Sequence, residues 1–142
     1  MDRRLLFLLQ RASRAALART NSRLFDRPGT SVEQLATLSF VAGRPGCTLT
    51  DISDLLDLNK SAVSGMIGRL ERAGTLRREP NPKDGRGSLL HLTPRGEKVR
   101  RESQPVFRSA MAELTQGFTA AEMNVVFRFL NAVVERCVTV AE

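Results

Sequence analysis

Between Asn59 and Gly74 the chain places Val63, Met66, Ile67 and Leu70 at i, i+3, i+4, i+7 spacing, the mark of one helix buried on one side. Asn59 is a natural cap for it and Gly74 a natural stop. Just upstream, Ile52, Leu55 and Leu56 face one side of a helix of about two turns. Thr50 suits its cap, and Asp51 favours the positive end of the helix dipole. Leu58-Asn59 leaves room only for a tight turn between the two helices. This pair constrains the fold more than any other feature of the chain.

After Gly74 the period changes. Thr75-Leu76-Arg77-Arg78-Glu79 reads as a short strand, and Ser88-Leu89-Leu90-His91-Leu92 as a second. Pro80 to Gly87 between them is almost all turn formers, so the segment is expected to be a β-hairpin with a long basic tip. Further helices flank this centre. Residues 3–25 carry Leu5, Leu9, Ala12, Ala16 and Leu17 at helical spacing, ending before the turn signal Asp26-Arg27-Pro28-Gly29. Ser31 with Gln34 reads as a capping box for a helix whose apolar face is Leu35, Leu38 and Val41. Thr93-Pro94 starts a helix expected to run to about Gln116 through Pro105. Thr119 and Glu122 form a capping box for the last helix, over 120–140. The fold expected is mainly α with a small β-hairpin wing: a winged helix-turn-helix lobe (30–103) plus terminal helices (1–29 and 104–142), in one domain.

Composition narrows the chemistry. One histidine and two cysteines among 142 residues cannot supply a four-ligand Cys/His zinc site, and they leave little for nucleophilic catalysis. Neither a P-loop nor a dinucleotide glycine motif is present, so no cofactor and no enzymatic activity are expected. Two cysteines are too few for a disulfide scaffold, and no run approaches the ~18 apolar residues of a membrane span. A cytoplasmic protein without membrane contact is the expectation.

The charge is unevenly placed. The chain carries 22 basic and 15 acidic residues, and residues 59–101 alone hold eleven basic against four acidic. A basic block of that density suits a polyanion. The second helix of the pair begins with small, polar or basic residues, which can reach base edges in a ~12 Å major groove. Lys83 and Arg86 in the hairpin suit phosphates and the narrow minor groove. Double-stranded DNA is the expected partner, and the candidate DNA-binding residues are Thr50, Lys60, Ser61, Ala62, Ser64, Gly65, Arg78, Lys83 and Arg86, which Arg69 and Asp84 join through the resemblance given below. A homodimer is expected as well. Met123, Val126, Phe127, Leu130, Val133 and Val134 form a broad stripe that a small lobe cannot cover, and Phe7, Leu8 and Leu9 add to it.

Leu49-Thr50-Asp51-Ile52, Asn59-Lys60-Ser61-Ala62-Val63-Ser64, Arg69-Leu70-Glu71-Arg72-Ala73-Gly74, Asp84-Gly85-Arg86 and Leu92-Thr93-Pro94-Arg95-Gly96 together resemble the MarR family of bacterial transcriptional regulators. The resemblance implies a homodimer built from interleaved terminal helices, each winged lobe binding half of a pseudo-palindromic operator. It implies that Asp84 braces the wing, that Arg86 enters the minor groove, and that Lys60, Ser61 and Ser64 line the major groove. Arg69 would lie near phosphate or brace the wing. Many members are repressors released by a small aromatic or lipophilic effector. The sequence departs from the pattern at Gly65, where a basic residue is common, at Gly68 one turn on, and at Gly85 in the wing.

Sensing is open at this level. Phe40, Phe107 and Phe118 are candidates to line an effector pocket, although core packing is the better explanation of each. Cys47 or Cys137 would serve a redox-responsive regulator, and a winged-helix DNA binder without any ligand switch is a further alternative. His91 falls in the second hairpin strand, where a structural role is expected rather than metal ligation.

Overall fold

A computed structural model describes residues 1–26 and 29–138. The elements run α1 (Leu5–Asp26), α2 (Val32–Gly43), α3 (Leu49–Leu56), α4 (Lys60–Arg72), β1 (Leu76–Asn81), β2 (Asp84–Leu92), α5 (Pro94–Leu114) and α6 (Ala120–Val138). The architecture is six helices with a two-stranded antiparallel hairpin. Of the predicted turn Asp26–Gly29, Arg27 and Pro28 lie outside the described residues, as do positions 139–142, the first two of which end the predicted last helix. Among the described residues no helix is long and apolar enough to cross a membrane.

Contacts divide the chain into two compact units, Met1–Ala110 and Met111–Glu142. In the first, Leu38, Val41, Cys47, Ile52, Val63, Met66, Ile67, Leu70, Leu76 and Leu90 form one buried cluster. The α4 stripe supplies four of these residues. A fully buried Leu, Ile, Val or Met contributes about 1.5–3 kcal/mol. A helix-interior glycine costs about 1 kcal/mol relative to alanine. The stripe therefore outweighs Gly65 and Gly68 several-fold, and α4 forms because it packs rather than because its composition favours helix.

The caps sharpen and correct the sequence expectations. Asn59 caps α4, its side chain accepting from Ala62 N–H at 2.8 Å. Gly74 follows the helix with φ +75°, a left-handed conformation that glycine adopts without a steric penalty. The cap of α3 is Thr48, not Thr50. Thr48 Oγ1 accepts from Asp51 N–H, and Asp51 Oδ2 accepts from Thr48 N–H at 2.8 Å. The helix begins one residue before Thr50, which sits exposed in its first turn. The Thr48 N–H holds the Asp51 carboxyl below its ordinary value of 3.8, so this contribution is full above that value and is lost as the pH falls through the lowered one. Leu55, expected on the packed face of α3, is 44% exposed, because an eight-residue helix buries only the Ile52 side fully. Ser31 caps α2 as expected, but Gln34 does not close a capping box: its Oε1 accepts from the Thr30 hydroxyl instead.

The hairpin is longer and its turn shorter than the composition suggests. The ladder runs from Leu76↔Leu92 to Pro80↔Ser88 and then, after a bulge, to Asn81↔Asp84, leaving Pro82-Lys83 as the turn. Gly85, Arg86 and Gly87 are the extra residues of the bulge on β2. Polar side chains replace the missing ladder bonds: Asn81 Oδ1 accepts from Lys83 N–H, and Asp84 Oδ1 from Arg86 N–H. On the inner edge, Gly46 N–H donates to Leu90 O and Leu90 N–H to Cys47 O, each at 2.8 Å, so Cys47 forms a bridge that ties the wing to the lobe. His91 lies in β2 with Nε2 3.1 Å from Glu79 Oε2, on the outer face beside Arg77.

In the second unit, Thr119 and Glu122 form the expected capping box of α6. α5 ends at Leu114, two residues before the expected Gln116. Val125, Val126, Phe127, Phe129, Leu130 and Val134 of α6 are all exposed, and Met123 and Val133 half-buried.

Two substitutions test this reading. Thr48→Ala is expected to cost about 1 kcal/mol in urea unfolding, and Thr50→Ala less than about 0.5 kcal/mol; equal effects would restore Thr50 as the cap. A Cβ on Gly96 would stand 2.1 Å from the Thr75 carbonyl oxygen, so Gly96→Ala forces a backbone shift. Its expected cost is about 2–3 kcal/mol in the same assay, and a melting curve like the wild type's would refute the close approach.

Candidate nucleic-acid interface

The α3–α4 turn is built to be tight. Asp57 closes α3 in the left-handed region at φ 51°, a conformation aspartate tolerates better than most residues. The Ser53 hydroxyl then donates to the Leu58 carbonyl, and Asn59 starts α4 at once. With Ala62 N–H taken by Asn59, the N–H groups of Lys60 and Ser61 are left without intrahelical acceptors at the positive end of the helix.

This helix start and the wing enclose a cleft of about 370 Å³. Six predicted residues meet in it: Thr50, Lys60, Ser64, Arg78, Asp84 and Arg86. Thr48, Leu49, Asn81, Gly87 and Ser88 also line it and were not anticipated. Asn81 reads in the sequence as a turn former and Ser88 as the first residue of the second strand; a hairpin ladder reaching Asn81 brings both to the cleft. Ser61, Ala62 and Gly65 lie instead on the exposed outer face of α4, and Lys83 is exposed in the hairpin turn.

The charges are not equivalent. Arg78 Nε donates to Glu71 Oε1 at 2.5 Å, so its charge is matched and it braces β1 against α4. That is one of the two roles considered for Arg69. Arg69 lies elsewhere, lining a small pocket with Gln34, Thr75 and Arg95. Among the described residues Lys60 and Arg86 have no carboxylate partner, so they are the free cations of the cleft. Asp84 holds the bulge that carries Arg86 through the Arg86 N–H at 3.0 Å. The arrangement can bind a polyanion: two free cations, hydroxyls, and helix N–H groups aimed outward. Among the described residues no group of three His, Cys, Asp or Glu could hold a metal ion.

A second cavity, of about 550 Å³, lies between α2 and α5. Val32, Leu35, Ala36 and Phe107 give it apolar walls; Ser39, Gln104 and Arg108 are its polar members. Of the three phenylalanines considered for a pocket, only Phe107 lines it. Phe40 packs against the core with the Arg44 guanidinium 5.4 Å over its ring, and Phe118 is 60% exposed in the second unit. Cys47 is buried, and loss of solvent pushes its thiol up; Cys137 is exposed, and both are free thiols.

The MarR family model matches residues 29–87, the span from the start of α2 through the wing bulge. In that span the chain is similar to the MarR family, and its fold matches MarR-family structures over nine-tenths of its length. The transcriptional regulator HosA of Escherichia coli is 28% identical over 111 residues, covering 75% of this chain and 82% of HosA. A mutant MarR from E. coli, crystallised with operator DNA, superposes with a TM-score of 0.84 at 25% identity, covering 91% of this chain and 92% of MarR. The PcaV regulator from Streptomyces coelicolor, in complex with its natural ligand, gives 0.78 at 26% identity, over 92% and 89% of the two chains. These similar proteins are transcriptional regulators, a non-enzymatic class, and the chain shares their winged-helix architecture.

Proposed function

We propose that this protein is a MarR-family repressor that binds a pseudo-palindromic DNA operator as a homodimer and releases it when a small aromatic or lipophilic effector binds. The observation that carries the DNA reading is the cleft where Lys60 and Arg86, both free of carboxylates among the described residues, converge from α4 and the wing. The likeness to a MarR crystallised on operator DNA supports it. In this reading α4 enters the major groove, Lys60, Ser61, Ala62, Ser64 and Gly65 approach the bases, and Thr50 and Lys83 reach phosphates. Arg86 enters the minor groove, while Arg78 and Asp84 hold helix and wing in register.

The exposed apolar residues of α1, Leu5, Leu6, Phe7 and Leu17, and those of α6 support a dimer through the terminal helices (1–29 and 104–142). A dimer spaces two reading helices about one DNA turn apart, ~34 Å. The cavity between α2 and α5 supports effector binding: its walls suit an aromatic ring or alkyl chain, and Arg108 suits an acid group on it.

Arg86→Ala is expected to weaken operator binding and lower the slope of log K against log salt by about one per wing. Binding with an unchanged slope would remove the wing from the mechanism. Footprinting should show a symmetric protected region of roughly two helical turns, and a one-turn asymmetric footprint would contradict the dimer. For the effector, a panel of substituted benzoic acids is expected to release DNA from the wild type and not from Arg108→Ala. Release that ignores the substitution would move the effector site elsewhere, and no release by any compound would favour a regulator without this ligand switch.

A further inference from the structure

The outer face of α4 carries two glycines that the fold does not require. Ser61, Gly65, Gly68 and Arg72 lie opposite the buried stripe, with Ser64 and Arg69 flanking them. Neither glycine has a positive φ. An added Cβ at Gly65 would meet only Arg69 Nη1, at 3.7 Å, and one at Gly68 only Arg72 Nη1, at 3.4 Å. Both atoms are the free ends of flexible side chains. Neither guanidinium has a carboxylate partner among the described residues; Glu71, the acid between them in sequence, is taken by Arg78. Alanine at either position would fit inside the molecule and strengthen the helix. What these glycines serve therefore lies outside the molecule.

We propose that Gly65 and Gly68 set how deeply α4 seats in the major groove, and that Arg69 and Arg72, lying over them in the free protein, swing outward to phosphates on either wall of the groove. A helix with its side chains is about 10–12 Å across. The groove it enters is about 12 Å wide, so two missing side chains on the leading face decide how closely the backbone meets the base edges. The two guanidinium groups occupy the space above the glycines until DNA displaces them, and being unpaired they are free to move. Arg72 thereby joins the interface, and Gly65 and Gly68 become specificity residues rather than weak points. The inference rests on the reading of α4 as the groove-entering helix.

The test uses full-length protein and two duplexes of equal length: one that the wild type selects from a randomised pool, and one unrelated. Gly65→Ala/Gly68→Ala is expected to melt about 3–8 °C higher than wild type. It should bind the selected duplex about tenfold or more weakly, with little change on the unrelated one. Gly43→Ala, at a helical glycine with nothing within 4 Å of its Cβ position, should leave both affinities unchanged. Arg72→Ala should lower the salt slope by about one per lobe. A double variant that binds the selected duplex like the wild type, or an unchanged slope for Arg72→Ala, overturns the proposal. If the double variant does not fold, the two single variants decide on the same criteria. A wild type that selects no duplex, or an Arg86→Ala variant that binds like the wild type, strikes the DNA reading itself.

Discussion

The junction of α4, β1 and α5 fixes everything else in the winged lobe. Three elements meet there within a few residues, and each uses the backbone of another. Thr75 N–H and its hydroxyl both go to Leu70 O, closing α4. Thr93, the residue before α5, donates its hydroxyl to Gly74 O at 2.6 Å and its N–H to Thr75 O at 3.2 Å. The Thr93 hydroxyl then accepts from Gly96 N–H, and Gly96 lies so close to the Thr75 carbonyl that no side chain fits. Satisfying these backbone groups internally leaves the end of α4, the root of the wing and the start of α5 one permitted arrangement.

The geometry of the cleft follows from that junction and from two braces beyond it. Arg78 and Glu71 join β1 to α4 one strand residue outward, and the Cys47–Leu90 bridge holds β2 to the lobe from the other edge. An ion pair this exposed contributes little to stability, on the order of 0–1 kcal/mol. Its effect is on direction: it consumes the charge of Arg78 and leaves Lys60 and Arg86 as the cations that face outward. The wing reaches this position with a two-residue turn because Asn81 and Asp84 supply acceptors that the bulged ladder lacks.

Where the sequence was legible, one strong local signal stood alone. The α4 stripe, the Asn59 cap, the Gly74 stop and the Thr93-Pro94 start each had a single good interpretation, and each element lies where its signal puts it. Where it was not, two candidates competed on equal terms. Thr48 and Thr50 are both capping residues followed three positions on by a polar side chain, and only the Asp51 hydrogen bonds decide for Thr48. Pro80 to Gly87 is turn-like in composition, yet side-chain acceptors let most of it continue the hairpin. The separation of Arg78 from Arg69 depended on which arginine found Glu71, a tertiary fact with no local signature. The apolar residues of α6 were legible as a stripe; composition did not say which of them the chain itself would cover.

The same junction links the basic cleft to the apolar cavity. α5 leaves it at Gly96 and carries Gln104, Phe107 and Arg108 to one wall of the apolar cavity, while α2 supplies the other wall. Leu38 and Val41 of α2 pack in the same buried cluster as the α4 stripe. In the proposed reading, a molecule that spreads α2 from α5 would pull on α4 at two places, through the core at its middle and through Thr75 and Gly96 beyond its C-terminus. Close-packed interiors shift in discrete steps rather than yield continuously, so a small displacement at Phe107 has to reappear at α4 or at the wing root. In the proposed reading, the rigidity that orients Lys60 and Arg86 is also what would make their orientation respond to an effector in the cavity.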